Sequence, residues 1–111
     1  MKMKALMAAL GIAGLVMAAG PARADSGLDM IKKARCNACH AVDKKLVGPS
    51  FQDVAAKYKG QEDAPAKLFD KVRHGGSGAW GDIPMTPNGT EKISDDNLKA
   101  VIQWILSGAP A

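Results

Sequence analysis

Cys36-Asn37-Ala38-Cys39-His40 is the stretch from which the rest of this 111-residue sequence is read. The chain has two cysteines, and both are here. Two thiols three positions apart in a tight turn can each bond to a different point on one planar partner. The histidine that follows then brings an imidazole to that partner's face. This is the Cys-x-x-Cys-His pattern of covalent haem attachment, in which each thiol adds to one vinyl group and the histidine comes to the iron. Three other readings explain less. A thioredoxin-like dithiol belongs in a βαβ setting, and no segment here sustains period-2 alternation. A structural zinc site needs four ligands, and the second of the two histidines, His74, lies far from the motif. A plain disulfide leaves His40 without a role.

Outward from the motif, four segments carry helical periodicity. The first is predicted over 27–35, with Leu28, Ile31 and Ala34 facing inward. The second, over 51–58, has Ser50 as N-cap and the i, i+3, i+4, i+7 stripe Phe51, Val54, Ala55, Tyr58. The third, over 65–73, takes Pro65 in its first turn, turns Leu68, Phe69 and Val72 inward and stops at Gly75-Gly76. The fourth begins after Ser94 with Asp95 and Asp96 in its positive first turn. Its stripe is Leu98, Val101, Ile102 and Ile105, with Trp104 at the edge, and Gly108 and Pro110 close it. The expected fold is all-α, about four helices wrapped around one covalently bound haem. Residues 74–91 are rich in Gly and Pro and lack periodicity. So long an irregular loop in a small domain points to function and needs something to hold it.

The N-terminus reads differently. Lys2 and Lys4 precede an uncharged apolar run from Ala5 to Ala19, and Ala22-Arg23-Ala24 offers small residues at a cleavage site. Residues 1–24 are therefore expected to be a secretory signal peptide cut before Asp25, leaving one domain over 25–111. The run falls short of the roughly 20 apolar residues that span a bilayer, so a membrane anchor is the weaker reading. Of the fifteen basic residues, Lys2, Lys4 and Arg23 leave with the leader, so twelve stand against eleven acids and the net charge falls from +4 to +1. The basic balance is largely the leader's, and nucleic-acid binding is not implied. A mature chain this short buries little surface of its own. Several hundred Å² of porphyrin at about 25 cal/mol per Å² would add roughly 10 kcal/mol of apolar burial.

His40 supplies one axial position, and the other decides between electron transfer and chemistry on a bound ligand. Met30 precedes the motif on the helix that enters it and reads as a core or surface helix residue. Met85, in Ile83-Pro84-Met85-Thr86-Pro87, sits in the irregular loop with prolines on either side to hold it extended. It is the expected second ligand; its alternative is a packing role. His74, the rival ligand, is also explained by a helix C-terminus and solvent.

Cys36-Asn37-Ala38-Cys39-His40-Ala41-Val42, Val47-Gly48-Pro49-Ser50-Phe51, Trp80-Gly81-Asp82-Ile83-Pro84-Met85 and Gln103-Trp104-Ile105-Leu106-Ser107 together resemble the short class I bacterial cytochromes c of the c-551/c-552 type. The resemblance spans nearly all of the chain after the leader. It implies His40 and Met85 on opposite haem faces and the Pro49 carbonyl accepting a hydrogen bond from the His40 ring. It further implies the Trp80 indole on a haem propionate, Asn88 bonding near the Met85 sulfur and Lys71 near a propionate. Relatives often carry a second proline directly after the methionine; here Thr86 takes that place.

The function expected is one-electron transfer through a single His/Met-ligated haem c in the periplasm, by a monomer without stable membrane insertion. A neutral thioether and a buried iron both favour the ferrous state and raise the potential. The resemblance implies partners such as a quinol-cytochrome c reductase as donor and a nitrite reductase or terminal oxidase as acceptor. Lys32, Lys33, Lys44, Lys45 and Lys57 form either a docking rim for acidic partners or a set of solvating charges. The rival function is a ligand-binding or peroxidatic haem protein with a displaceable sixth ligand.

Overall fold

The computed structural model describes residues 26–111. The expected leader over 1–24 and its cut before Asp25 lie outside the described residues. Four α-helices follow in order: α1 (Gly27–Lys33), α2 (Phe51–Tyr58), α3 (Ala64–His74) and α4 (Asp95–Leu106), with a 3-10 turn at Cys36–Ala38. Among the described residues the only strand-like pairings are two isolated bridges, His40 with Lys45 and Gly76 with Met85. No described helix is long and apolar enough to cross a membrane.

The helix α4 is the hub. Its stripe Leu98, Val101, Ile102 and Ile105 is buried, and α1, α2 and α3 each pack against it. The stripe wraps far enough round the helix to serve three partners because residues three and four apart share a face. The α1–α4 crossing is close. Gly27 is buried, and a Cβ there would stand 2.5 Å from the Trp104 ring. Trp104 also meets Phe51 of α2 edge-on, with ring centroids 5.7 Å apart. Its indole N–H donates to the Pro110 carbonyl at 3.2 Å, so the chain end folds back over α4.

The starts of α1, α2 and α4 follow the sequence closely, because each has a side-chain cap, whereas α3 begins without a side-chain cap bond and has a proline in its first turn. Ser26, Ser50 and Ser94 accept hydrogen bonds from the N–H groups of Asp29, Asp53 and Asn97, at the third position of each helix. The first helix ends earlier than periodicity predicts. Ala34 caps it and Arg35 takes a left-handed conformation, φ 63°. Local pattern does not register that break, which turns the chain into the 3-10 turn carrying Cys36. Leu28 is only half-buried, and Met30 joins Ile31 and Ala34 in the core instead. The third helix runs one residue further at each end than predicted, from Ala64 to His74.

Candidate haem site

The histidine side is built on the start of α2. The first N–H groups of a helix have no partner within it. Here Phe51 N–H donates to the Ala41 carbonyl at 2.9 Å and Gln52 N–H to the Val42 carbonyl at 3.0 Å. The residues just after His40 are thereby bolted to the helix. The loop then closes back on the motif, with Gly48 N–H donating to the Cys39 carbonyl at 2.8 Å and His40 N–H to the Cys36 carbonyl at 3.0 Å.

Three contacts grip the His40 ring. Its Nδ1 donates to the Pro49 carbonyl at 2.7 Å. Phe51 lies beside it, ring centroids 5.2 Å apart. The Gly48 backbone presses on its edge so closely that a Cβ there would be 2.6 Å from Cε1 and 2.9 Å from Nδ1. A carbonyl only accepts, so the proton must be on Nδ1, which leaves the lone pair of a neutral imidazole on Nε2. Nε2 has no hydrogen-bond partner among the described residues. An imidazole held by one nitrogen with the other free is what a metal-ligating histidine requires.

Cys36 and Cys39 do not form a disulfide. Cys39 is exposed and Cys36 half-buried, and burial pushes the Cys36 thiol above its ordinary value. Among the described residues no three of His, Cys, Asp and Glu gather as a metal-ion site, so the zinc reading finds no ligand set.

The methionine side is built on the end of α3. Gly76 and Met85 exchange two backbone hydrogen bonds, 2.9 and 3.0 Å, that fold the loop into a hairpin-like pairing. Gly75 at φ 71° lies against the Met85 carbonyl, where a Cβ has no room. Beyond the ligand loop, Asn88 N–H donates to the Val72 carbonyl at 3.0 Å. The Asn88 side chain is buried. Its amide nitrogen donates to the carbonyls of Thr86, next to Met85, at 2.9 Å and of Val72 at 3.3 Å. Its visible work here is to tie the loop to α3. His74, the rival ligand, is exposed at the last position of α3.

Trp80 and Ile83 of the methionine loop are exposed, as are Leu46 and Val47 of the histidine loop. Trp80 is 45% exposed, with its ring face covered in part by the Lys57 ammonium at 5.0 Å from the centroid. Its indole N–H finds no acceptor among the described residues. These four are the large exposed hydrophobics of the described residues, and all stand on the two loops that carry His40 and Met85. A tightly closed helical core beside loops with uncovered apolar side chains fits a large flat apolar partner bound between the loops.

The family model for cytochrome c matches residues 24–109. The cytochrome c-552 of Nitrosomonas europaea is 46% identical over 95 residues, covering 86% of this chain and 88% of its own length. The cytochrome c-551 of Pseudomonas aeruginosa is 43% identical over 107 residues, covering 96% and 98%. The chain belongs to the class I bacterial cytochromes c, of the c-551/c-552 type. The crystal structure of wild-type Nitrosomonas europaea cytochrome c552 superposes with a TM-score of 0.68 at 47% identity, over 73% of this chain and 98% of that one. The all-α arrangement described above is thus the class I cytochrome c fold. This cytochrome carries one haem c, attached covalently through the thioethers of its two cysteines. It is a periplasmic electron carrier and not an enzyme, and it exchanges electrons with other redox proteins.

Sequence reasoning quoted Gly48 without giving it a role, although its lack of a side chain is what lets the backbone approach the His40 ring. It also passed over Arg73, whose guanidinium donates to the Asn88 carbonyl at 3.0 Å. A Gly directly before Pro49 was a usable signal for the first; nothing local signals the second.

Proposed function

We propose that Cys36 and Cys39 carry the two thioethers, that His40 Nε2 and the Met85 sulfur are the axial ligands, and that Pro49 and Trp80 support them. The observation that carries this reading is the His40 ring. It is anchored through Nδ1 to the Pro49 carbonyl at 2.7 Å and leaves Nε2 without a protein partner. The Pro49 carbonyl fixes the tautomer and makes the imidazole a stronger donor. Met85 is placed by Gly76 on one side and Asn88 on the other, between two prolines that limit its freedom. The uncovered apolar side chains of Leu46, Val47, Trp80 and Ile83 exclude water from whatever they enclose. The Trp80 N–H is available to a propionate. When bound, the haem supplies a one-electron ferric–ferrous couple.

The further reading is of a shuttle exported behind a leader cut before Asp25. It takes electrons from a quinol-cytochrome c reductase type of donor and passes them to a nitrite reductase or terminal oxidase. Similarity to cytochromes c-551 and c-552 supports the type of carrier, and the Lys2-to-Ala24 pattern supports export.

Absorption spectra of the matured protein in both redox states test the ligands. Sulfur ligation gives the ferric protein a weak near-red band, and the ferrous protein resists carbon monoxide. Rapid carbon monoxide binding by the reduced wild-type protein would refute Met85 as ligand and favour the open-iron alternative. Intact mass of the mature chain tests both the two-thioether attachment and the Asp25 terminus. Donor and acceptor are tested by stopped-flow electron exchange with each purified partner class.

A further inference from the structure

The loop carrying Met85 has no regular secondary structure, so its position depends on the points at which it is pinned. Its start is pinned by the Gly76–Met85 pairing. Its end is pinned at Asn88, from more than one direction. Asn88 N–H reaches the Val72 carbonyl, and its side-chain amide reaches the Thr86 and Val72 carbonyls. The Asn88 carbonyl accepts from Arg73 Nη1 at 3.0 Å. The same guanidinium donates from Nη2 to Asp95 Oδ1 at 2.6 Å and lies over the Phe69 ring, 5.2 Å from its centroid. Arg73 therefore joins α3, the end of the methionine loop and the first turn of α4.

We propose that Arg73 is the positioning residue that keeps the methionine loop closed, and so keeps Met85 at its ligating position. This rests on Met85 being the second axial ligand. The Arg73 side chain is only 11% exposed, whereas that of Asp95 is 61% exposed. A charged group so nearly buried is retained only where its hydrogen bonds are made. The planar fork is what the geometry needs, since two nitrogens serve two acceptors at once while the flat face rests on an aromatic ring. A lysine ammonium supplies a charge but not that spread. Asp95 has a second reason to be present, at the positive start of α4, so Arg73 is the member of the pair given over to the loop. With Pro84 and Pro87 stiffening the segment, release at Asn88 leaves Met85 held by the Gly76 pairing alone.

The test uses the haem-loaded protein and imidazole as a competing ligand. Ferric protein is titrated with imidazole, and loss of the near-red sulfur band is followed. A ligand that enters only when the loop opens binds in proportion to the open fraction. Arg73→Gln is expected to tighten apparent imidazole binding by about tenfold, the size expected for losing a hydrogen bond from a charged donor. Arg73→Lys is expected to restore most of this, leaving about a threefold effect, and Asp95→Asn to give a smaller change in the same direction. Ile105→Val, a core truncation remote from the loop, is expected to leave imidazole binding unchanged although it lowers stability, which separates positioning from general loosening. Wild-type imidazole affinity in both Arg73→Gln and Arg73→Lys, with the sulfur band present, overturns the proposal while leaving Met85 as ligand. If Arg73→Gln does not mature, Arg73→Lys and Asp95→Asn decide by the same criterion. A wild-type protein without the sulfur band removes the ligand reading itself, and this inference with it.

Discussion

Replacing Gly48 with alanine tests how the histidine is held. The Gly48 backbone lies outside the left-handed region, so alanine meets no conformational penalty there, and the effect comes from the added methyl group alone. That methyl would stand 2.6 Å from His40 Cε1, 2.9 Å from Nδ1 and 3.2 Å from Nε2. Ordinary carbon contacts are at about 3.5–4.0 Å, so the ring must retreat by about 1 Å. Phe51 stands beside it and Pro49 holds Nδ1 at 2.7 Å, so the retreat stretches that hydrogen bond beyond useful length. Overpacking costs about 1–3 kcal/mol and the lost hydrogen bond about 1 kcal/mol, together about 2–4 kcal/mol. The ring is also a poorer donor once Nδ1 loses its acceptor. Ferric iron is then less well stabilised, and the reduction potential is expected to rise by a few tens of millivolts. Guanidinium denaturation of the haem-loaded variant, followed by far-ultraviolet circular dichroism, reads the first effect and spectroelectrochemical titration the second. Gly60→Ala is the control. Gly60 has φ 79° with open space around it, so the variant carries backbone strain without a clash and leaves the potential unchanged. A Gly48→Ala protein with wild-type denaturation midpoint and potential would refute the idea that backbone contact fixes the ring.

Other perturbations follow from the same geometry. Gly75→Ala combines a positive φ with a collision against the Met85 carbonyl; it is expected to destabilise by about 2–4 kcal/mol and to weaken the near-red sulfur band, read in one thermal melt with spectra. Ser50→Ala removes the α2 cap and is expected to cost about 1 kcal/mol in chemical denaturation, with the sulfur band unaffected because α2 supports only the histidine side. Lys57→Ala uncovers the Trp80 ring; stability is expected to fall by less than about 1 kcal/mol, while amide exchange in the methionine loop around Trp80 becomes faster.

The helices were legible because each carries an apolar stripe and three carry a start signal as well, Ser50 for α2, Pro65 for α3 and Ser94 with Asp95 and Asp96 for α4. Ser50 with the Phe51, Val54, Ala55, Tyr58 stripe placed α2 at its observed bounds. The end of α1 was not legible, since Arg35 is no helix breaker by type and turns left-handed only because the chain must enter the 3-10 turn. The haem motif stood out because its chemistry needs its residues adjacent in sequence. The Pro49 bond came from resemblance, and the structure supplies its distance and shows Gly48 beside it. The partners of the Asn88 amide, the Thr86 and Val72 carbonyls, came from the structure, because α3 must pack beside the loop before Val72 is within reach.

Sequence alone determined the cofactor chemistry and the all-α class, because thiol spacing, an adjacent imidazole and helical periodicity are local properties that a few neighbouring residues suffice to encode. Tertiary structure alone decided how the two loops are held. Gly48 against an imidazole, and Arg73 reaching both Asn88 and Asp95, join residues that become neighbours only after the helices pack on α4. Their partners depend on where whole elements come to rest, and no short stretch of chain carries that information.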